Sequence, residues 1–344
     1  MEVNLNDYSS LIKLRLVLSF ISLVSCLFNI TLYIILLINY IFQKNKKNEY
    51  DFLSSFSREE SISSTQIKGD LKIGLGTHYM FFLMITKLLW CILSVYQCIK
   101  YPFGFFYLFD KYSTNCINLG FFHNFLELSS ICWTSIIIRI FLITSKINDN
   151  LFLNEKNELF KGFCFCIFLP LIITLLPLYT NSYGPAKTHC SFDYLDLKGL
   201  TIIWWSIINV LTIFLVLYNI YVFIKIISFY CKVLKKIKTI NKEDYNSIKI
   251  FILVFSLFPF ILIINTVLKG LNRYIDIKIL SSMFLSYIHS IMYCLSGFFK
   301  SIPCLFFLRG TFKICSKKNI NPNEEEISLH DMKKSSSHDI SEES

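Results

Sequence analysis

The sequence predicts an all-α protein: a bundle of seven membrane-spanning helices, with a short amphipathic helix on the membrane surface after the seventh. Three observations predict it. The chain has 344 residues, 54% of them hydrophobic and 17% charged. Soluble domains average about 45–50% apolar and about 25% charged, so the composition belongs to the membrane class. The apolar residues are gathered into seven runs, each long enough for a helix to cross about 30 Å of hydrocarbon. The runs are continuous, whereas the strands of a membrane barrel alternate over about ten residues. In lipid every backbone polar group must be satisfied internally, which leaves the helix.

The elements follow in order. Residues 1–15 form a short outer N-terminus. Residues 16–42 are uncharged and end at Lys44, Lys46 and Lys47, which marks the first span. The run is too long for a signal-peptide core and has no small-residue cleavage site, so it reads as a retained helix. The second span is 79–99, interrupted by Lys87, and the third is 117–144, carrying His123, Glu127 and Arg139. The fourth, 163–179, contains Pro170 and Pro177 as kink sites. The fifth is 200–224, the sixth 250–268 with Pro259 inside it, and the seventh 279–299. The transmembrane domain is thus 16–304. Residues 305–316 mix Phe306 and Phe307 with Arg309 and Lys313, the pattern of a helix lying in the interface. The polar, Ser-rich loop at 43–77 and the Ser- and Glu-rich cytoplasmic tail at 317–344 have the composition of disorder.

Lys and Arg set the orientation. They are commoner in the segments that face inward if the N-terminus is outside, and densest at 231–242. The positive-inside bias therefore places the N-terminus out and the C-terminus in. The net charge of +10 is explained by these clusters, which meet anionic lipid. The expected partner of this charge is membrane lipid, and no nucleic acid is expected.

Most of the twelve cysteines lie in or beside spans, where Cys acts as a small hydrophobe. Cys116 and Cys190 differ. One sits at the outer mouth of the third span and the other in the second outer loop, on the oxidising side where a disulfide persists. A bridge between them is expected, with Cys98 as the nearby competitor.

Buried charge is the second signal. Lys87 lies about nine residues in from the inner end of its span, roughly 13 Å deep, and Glu127 about ten residues from the outer end of its own, roughly 15 Å deep. The helices run in opposite directions, so both reach the midplane, and His289 reaches the same level from the seventh span. Charges there are costly and find partners inside the bundle. Lys87 is expected to pair with Glu127, with His289 beside them. The pair is either a packing element, a switch broken on activation, or part of a ligand pocket.

CINLGFFHNFLELSSICWTS at 116–135 resembles the third helix of cAMP-receptor-like (class E) G-protein-coupled receptors and their secretin-like relatives, through Cys116, Gly120, Phe121, Ser129, Ser130 and Trp133. PLYTNSYGPAKTHC at 177–190 is similar to the family's proline, Tyr-Gly and loop-Cys pattern, through Pro177, Tyr183, Gly184 and Cys190. Weaker matches are LFPF at 257–260, with Pro259, and SGFFKSI at 296–302, with Gly297. Together they span about 79–310 in family order. The chain departs from the pattern at Lys87, where members carry an acid, at His189 and Ser191, where aromatic residues flank the loop Cys, and in its long first inner loop. The resemblance implies a divergent member: a receptor in the plasma membrane, carrying the signal of an extracellular ligand to a heterotrimeric G protein. It does not carry over cAMP as that ligand.

Arg139, with Lys235, Lys236 and Lys238, then falls on the G-protein face, although Arg139 also fits an arginine snorkelling to the interface. Cys315 is a lipidation candidate. Asn29 and Thr31 form a glycosylation sequon that lies inside the first span and is silent. No catalytic motif, metal-site spacing or phosphate-cradling loop occurs, so neither an enzyme nor a cofactor is expected. The rival reading is a seven-helix transporter or channel in which Lys87, Glu127 and His289 form a polar path.

Overall fold

A computed structural model describes residues 5–56, 75–100, 114–146, 155–185, 189–192, 199–236, 260, 263–264, 267, 283–305 and 308. Two compact units divide the chain. The first comprises Met1–Tyr33 and Gly74–Leu305, the second Ile34–Ile73 and Phe306–Ser344. Helix α1 is Leu5–Phe56, α2 Leu75–Lys100 and α3 Thr114–Lys146. Helix α4 (Glu155–Phe163) passes through a π-helical turn, Cys164–Phe168, into α5 (Leu169–Tyr179). Helix α6 is Leu200–Lys236 and α7 Met283–Cys294, after which a helical stretch continues over 296–305. A two-stranded hairpin, β1 (Tyr183–Pro185) and β2 (Cys190–Phe192), joins α5 to α6.

Among the described residues, five helical stretches are long and apolar enough to cross a membrane: Ser9–Phe42, Leu75–Lys100, Thr114–Ile140, Asn157–Tyr179 and Leu200–Ser228. Most of the expected sixth span, Pro259 included, and most of the surface helix, Cys315 included, lie outside the described residues. So does most of the first inner loop, but its beginning does not: α1 runs on to Phe56. Gln43, Lys44, Lys46, Lys47 and Glu49 are good helix formers, and their propensity carries the helix past the apolar run.

The first unit is packed in the manner of a membrane bundle, with small and polar residues inside and large apolar ones outside. In α1, Ser19, Ser22, Cys26 and Asn29 recur at helical spacing and are buried, while Val17, Phe20, Val24, Leu27 and Phe28 are exposed. Ser19 Oγ meets Ser94 Oγ of α2 at 3.0 Å, and Ser22 Oγ donates to the carbonyl of Cys294. Gly297 lets the stretch after α7 approach α1 closely, because a Cβ there would stand 3.1 Å from Ser22 Cβ. Helix α3 is the most buried of the spans and packs on α2, α5 and α6. Asn219 of α6 donates to Ser135 of α3 at 3.0 Å, deep in that contact.

The fourth crossing shows how proline is absorbed. Pro170 brings no N–H to the helical ladder, and the turn before it widens to π geometry. The C-terminus of α5 closes in a Schellman motif: Ser182 N donates to Pro177 O at 2.9 Å and Asn181 N to Leu178 O at 3.1 Å. Asn181 takes the left-handed conformation this needs, with φ 51°. The chain then turns directly into β1.

The hairpin lies against α3. Its register pairs Tyr183 with Phe192, Gly184 with Ser191 and Pro185 with Cys190. Cys190 is bonded to Cys116 at the first turns of α3, with a Cα–Cα distance of 5.3 Å; Cys98 is a free thiol. Gly120 sits one turn below Cys116. A Cβ on it would lie 3.1 Å from Ser191 O and 3.3 Å from Tyr183 Cβ, so the hairpin rests on bare backbone. Asn124 locks it with a 3.2 Å bond to Ser191 Oγ.

The disulfide closes a long loop, and breaking either partner is expected to cost about 2–4 kcal/mol. Cys116→Ser and Cys190→Ser should each lower the melting temperature of the detergent-purified chain, and the double variant should melt within error of the worse single one. Additive losses would show that the two thiols stabilise the fold separately.

Candidate functional site

A set of buried polar residues of the first unit lines up in a column. It starts at the hairpin. Arg15 is 2% exposed, and its Nη1 donates to His189 Nδ1 at 3.1 Å. Accepting there leaves the His189 proton on Nε2. The His189 ring packs on His123 of α3, with centroids 4.8 Å apart. His123 Nε2 approaches the Tyr293 hydroxyl at 3.4 Å, and that hydroxyl donates to Glu127 Oε2 at 2.8 Å. A phenol has one proton. With it given to Glu127, Tyr293 receives from His123, which fixes the His123 tautomer as Nε2–H.

Tyr293 is the hub. Trp90 of α2 stands edge-on to it, with centroids 4.8 Å apart and an interplanar angle of 89°, and His289 stacks on it at 5.3 Å. Lys87 Nζ lies 5.2 Å from the centroid of Trp90 and donates to Ser296 Oγ at 3.3 Å. Lower in the bundle, Lys300 Nζ donates to Ser130 Oγ at 2.8 Å. The column thus runs from the outer hairpin to the lower half of the bundle, through α1, α2, α3 and α7.

The structure brings Lys87, Glu127 and His289 around Trp90 and Tyr293. Of the residues singled out by family resemblance, Ser130 holds Lys300. Trp133 is fully buried and stacks on Phe82 at 5.3 Å. Ser129 is buried beside it. Gly120 and Gly297 are points of close backbone approach. Pro177 accepts the α5 capping bond. Tyr183 donates to Thr174 O at 3.0 Å; burial raises its phenol above the ordinary range, so it remains a donor. Gly184 faces Ser191 in the hairpin. Arg139 is exposed near the inner end of α3. Lys235 and Lys236 close α6, and Lys238 lies outside the described residues.

Arg15, Trp90, Tyr293, Ser296 and Lys300 escaped the reading of the sequence as site residues. Arg15 and Lys300 stand just beyond the ends of apolar runs, where cations ordinarily reach for water. The usable signal was periodicity. His289, Tyr293, Ser296 and Lys300 recur at steps of four, three and four, and so do His123, Glu127, Ser130 and Thr134. Each set is one helix face, and the two faces meet.

No family model matches the chain, and no curated protein matches its sequence. Among solved structures, the chain is similar to the crystal structure of squid rhodopsin, with a TM-score of 0.56 and 11% identity, over 93% of this chain and 88% of that one. The fold is that of a seven-helix membrane protein of the rhodopsin kind. The likeness is one of fold. Five membrane-capable helices and this architecture make the chain an integral, multi-pass membrane protein.

The hub can be tested directly. Tyr293→Phe keeps the ring and removes the bond to Glu127. It should destabilise the purified chain by about 1–3 kcal/mol, because a buried acceptor loses its donor. Tyr33→Phe, which removes a 2.7 Å bond to His78 away from the column, should leave unaltered any property that depends on Glu127. A thermal melt of Tyr293→Phe equal to that of wild type would show that the hub carries no load.

Proposed function

We propose that this chain is a G-protein-coupled receptor of the cAMP-receptor-like class, a divergent member that carries an extracellular signal across the plasma membrane to a heterotrimeric G protein. The observation that supports it best is the column itself. A hairpin bonded to the outer end of α3 is joined, through His189, His123 and Tyr293, to ionisable groups at the centre of the bundle. A ligand seated at the hairpin would act on the arrangement of α3 and α7 by binding one arrangement better than another. The rhodopsin-like fold supports the same reading at the level of architecture.

In this reading Lys87 and Glu127 are an ion pair, with Trp90 and Tyr293 around them, and His289 reports on it through its stacking with Tyr293. Arg139, Lys235, Lys236 and Lys238 form the inner, G-protein-facing surface, and Cys315 is a lipid anchor just beyond the bundle. The ligand is unassigned.

The test is nucleotide exchange on purified heterotrimeric G proteins, driven by the chain in lipid nanodiscs and screened against a panel of extracellular ligands. Ligand-dependent exchange, lost in Arg139→Ala, is the expected result. Solute or proton flux through proteoliposomes, lost in Glu127→Gln and without any exchange activity, would overturn it in favour of a transporter.

The pair is tested by a double-variant cycle. Lys87→Met and Glu127→Gln should each cost about 3–5 kcal/mol, because each leaves one buried charge uncompensated. The double variant should recover part of that loss. Purely additive melting shifts would mean that the two groups do not interact. Coupling in stability with unchanged exchange activity in the double variant would make the pair structural and remove it from the switch.

A further inference from the structure

At the end of the bundle away from the disulfide, α2, α3, α4, the π turn and α6 enclose a cavity of about 420 Å³. Its size is that of a small-molecule site. Two kinds of surface line it. Ile136, Ile140, Phe165, Phe214, Leu215 and Tyr218 make an apolar wall. Phe165 and Phe214 belong to the outward face of the bundle, 38% and 65% exposed, so the mouth opens sideways towards the hydrocarbon and not only along the bundle axis.

The charged lining is Arg139, Lys161 and Glu158. Glu158 and Lys161 are bonded to each other at 2.9 Å. Among the described residues, Arg139 has no hydrogen bond or ion pair, although it is close enough to Tyr79 to act on it electrostatically. The pocket therefore carries one uncompensated cation beside an apolar trough. The floor is fixed: Tyr79 donates to Glu158 O at 2.6 Å, and its phenol fills the space where a Cβ on Gly162 would stand.

We propose that this cavity binds one anionic phospholipid of the inner leaflet. Its phosphate lies on Arg139, with Lys161 alongside, and an acyl chain enters the wall of Ile136, Phe165, Phe214 and Leu215. The charge matches the excess of anionic lipid on the cytoplasmic face, and the disulfide at the opposite end of α3 places this end away from the oxidising side. The lipid would bridge α3, α4 and α6, and so tie down the inner ends of these helices.

The experiment does not depend on signalling. The full chain is purified in detergent with an equimolar mixture of palmitoyl-oleoyl phosphatidylglycerol and phosphatidylcholine, and retained lipid is read by native mass spectrometry. Retention of a single phosphatidylglycerol, favoured about tenfold over phosphatidylcholine, is expected: both lipids offer a phosphate to Arg139, but the choline cation of phosphatidylcholine is repelled by Arg139 and Lys161, whereas phosphatidylglycerol brings a net negative charge. Arg139→Gln should abolish the preference, and Arg139→Lys should restore part of it. Ile136→Phe should lower retention of both lipids. To keep the result independent of variant folding, a phosphatidylglycerol with a photoreactive acyl chain is crosslinked to the wild-type chain. Crosslinks to peptides containing Phe165 or Phe214 support the site. Equal retention of the two lipids, or crosslinks confined to other helices, overturn it.

Discussion

A charged side chain in hydrocarbon must find a partner, and this constraint organises the interior of the bundle. Arg15, Lys87 and Lys300 are each less than 5% exposed, and each is answered from another element: Arg15 by His189 beside the hairpin, Lys87 by Ser296 after α7, with Trp90 of its own helix next to it, and Lys300 by Ser130 of α3. A hydroxyl or an aromatic face satisfies an ammonium geometrically but does not neutralise it. In the pairing proposed above, the carboxylate of Glu127 is the negative charge that answers Lys87. Any movement that changes the distance of Glu127 from these cations changes the energy of the whole column, because in low dielectric such interactions are strong and poorly screened.

The rest of the packing permits that column. Small residues bring the backbones close: Ser22 and Cys26 against Gly297, and Gly120 against the hairpin. Without Gly120, Ser191 and Tyr183 would be displaced, and His189, adjacent to the bonded Cys190, would move away from Arg15 and His123. The hairpin is placed independently from both sides. The disulfide fixes β2 on α3, and the Schellman turn at Asn181 sets the direction in which α5 enters β1. Covalent and backbone constraints thus position a histidine that then serves an electrostatic network.

The two ends of the bundle are chemically unlike. The outer end is closed by a buried hairpin with aromatic and histidine rings stacked beneath it. The other end holds an open cavity with an apolar wall and an arginine that has no hydrogen bond or ion pair among the described residues. A molecule that responds to one end and is held at the other can be coupled through α3, which carries Cys116, His123, Glu127, Ser130 and Arg139 in a single helix.

The sequence by itself determined the class of the protein. Apolar runs of bilayer length, their continuity and the distribution of Lys and Arg leave helices crossing a membrane as the physical solution, since backbone groups have no water to bond in hydrocarbon. It also placed Cys116 and Cys190 at one end, and Lys87, Glu127 and His289 at one depth, because rise per residue converts position in a run into depth. Azimuth is not so converted. Which face of α7 meets which face of α3 depends on how the helices rotate and pack, so the hub role of Tyr293 and the burial of Lys300 under Ser130 were decided only in the tertiary structure. The same holds for Arg15. One residue outside an apolar run, it reads as a solvated end-charge, yet the folded hairpin brings His189 across 174 positions of sequence to cover it. Local pattern carries depth and polarity; contacts between distant segments arise from packing, and the chemistry of the site lies in those contacts.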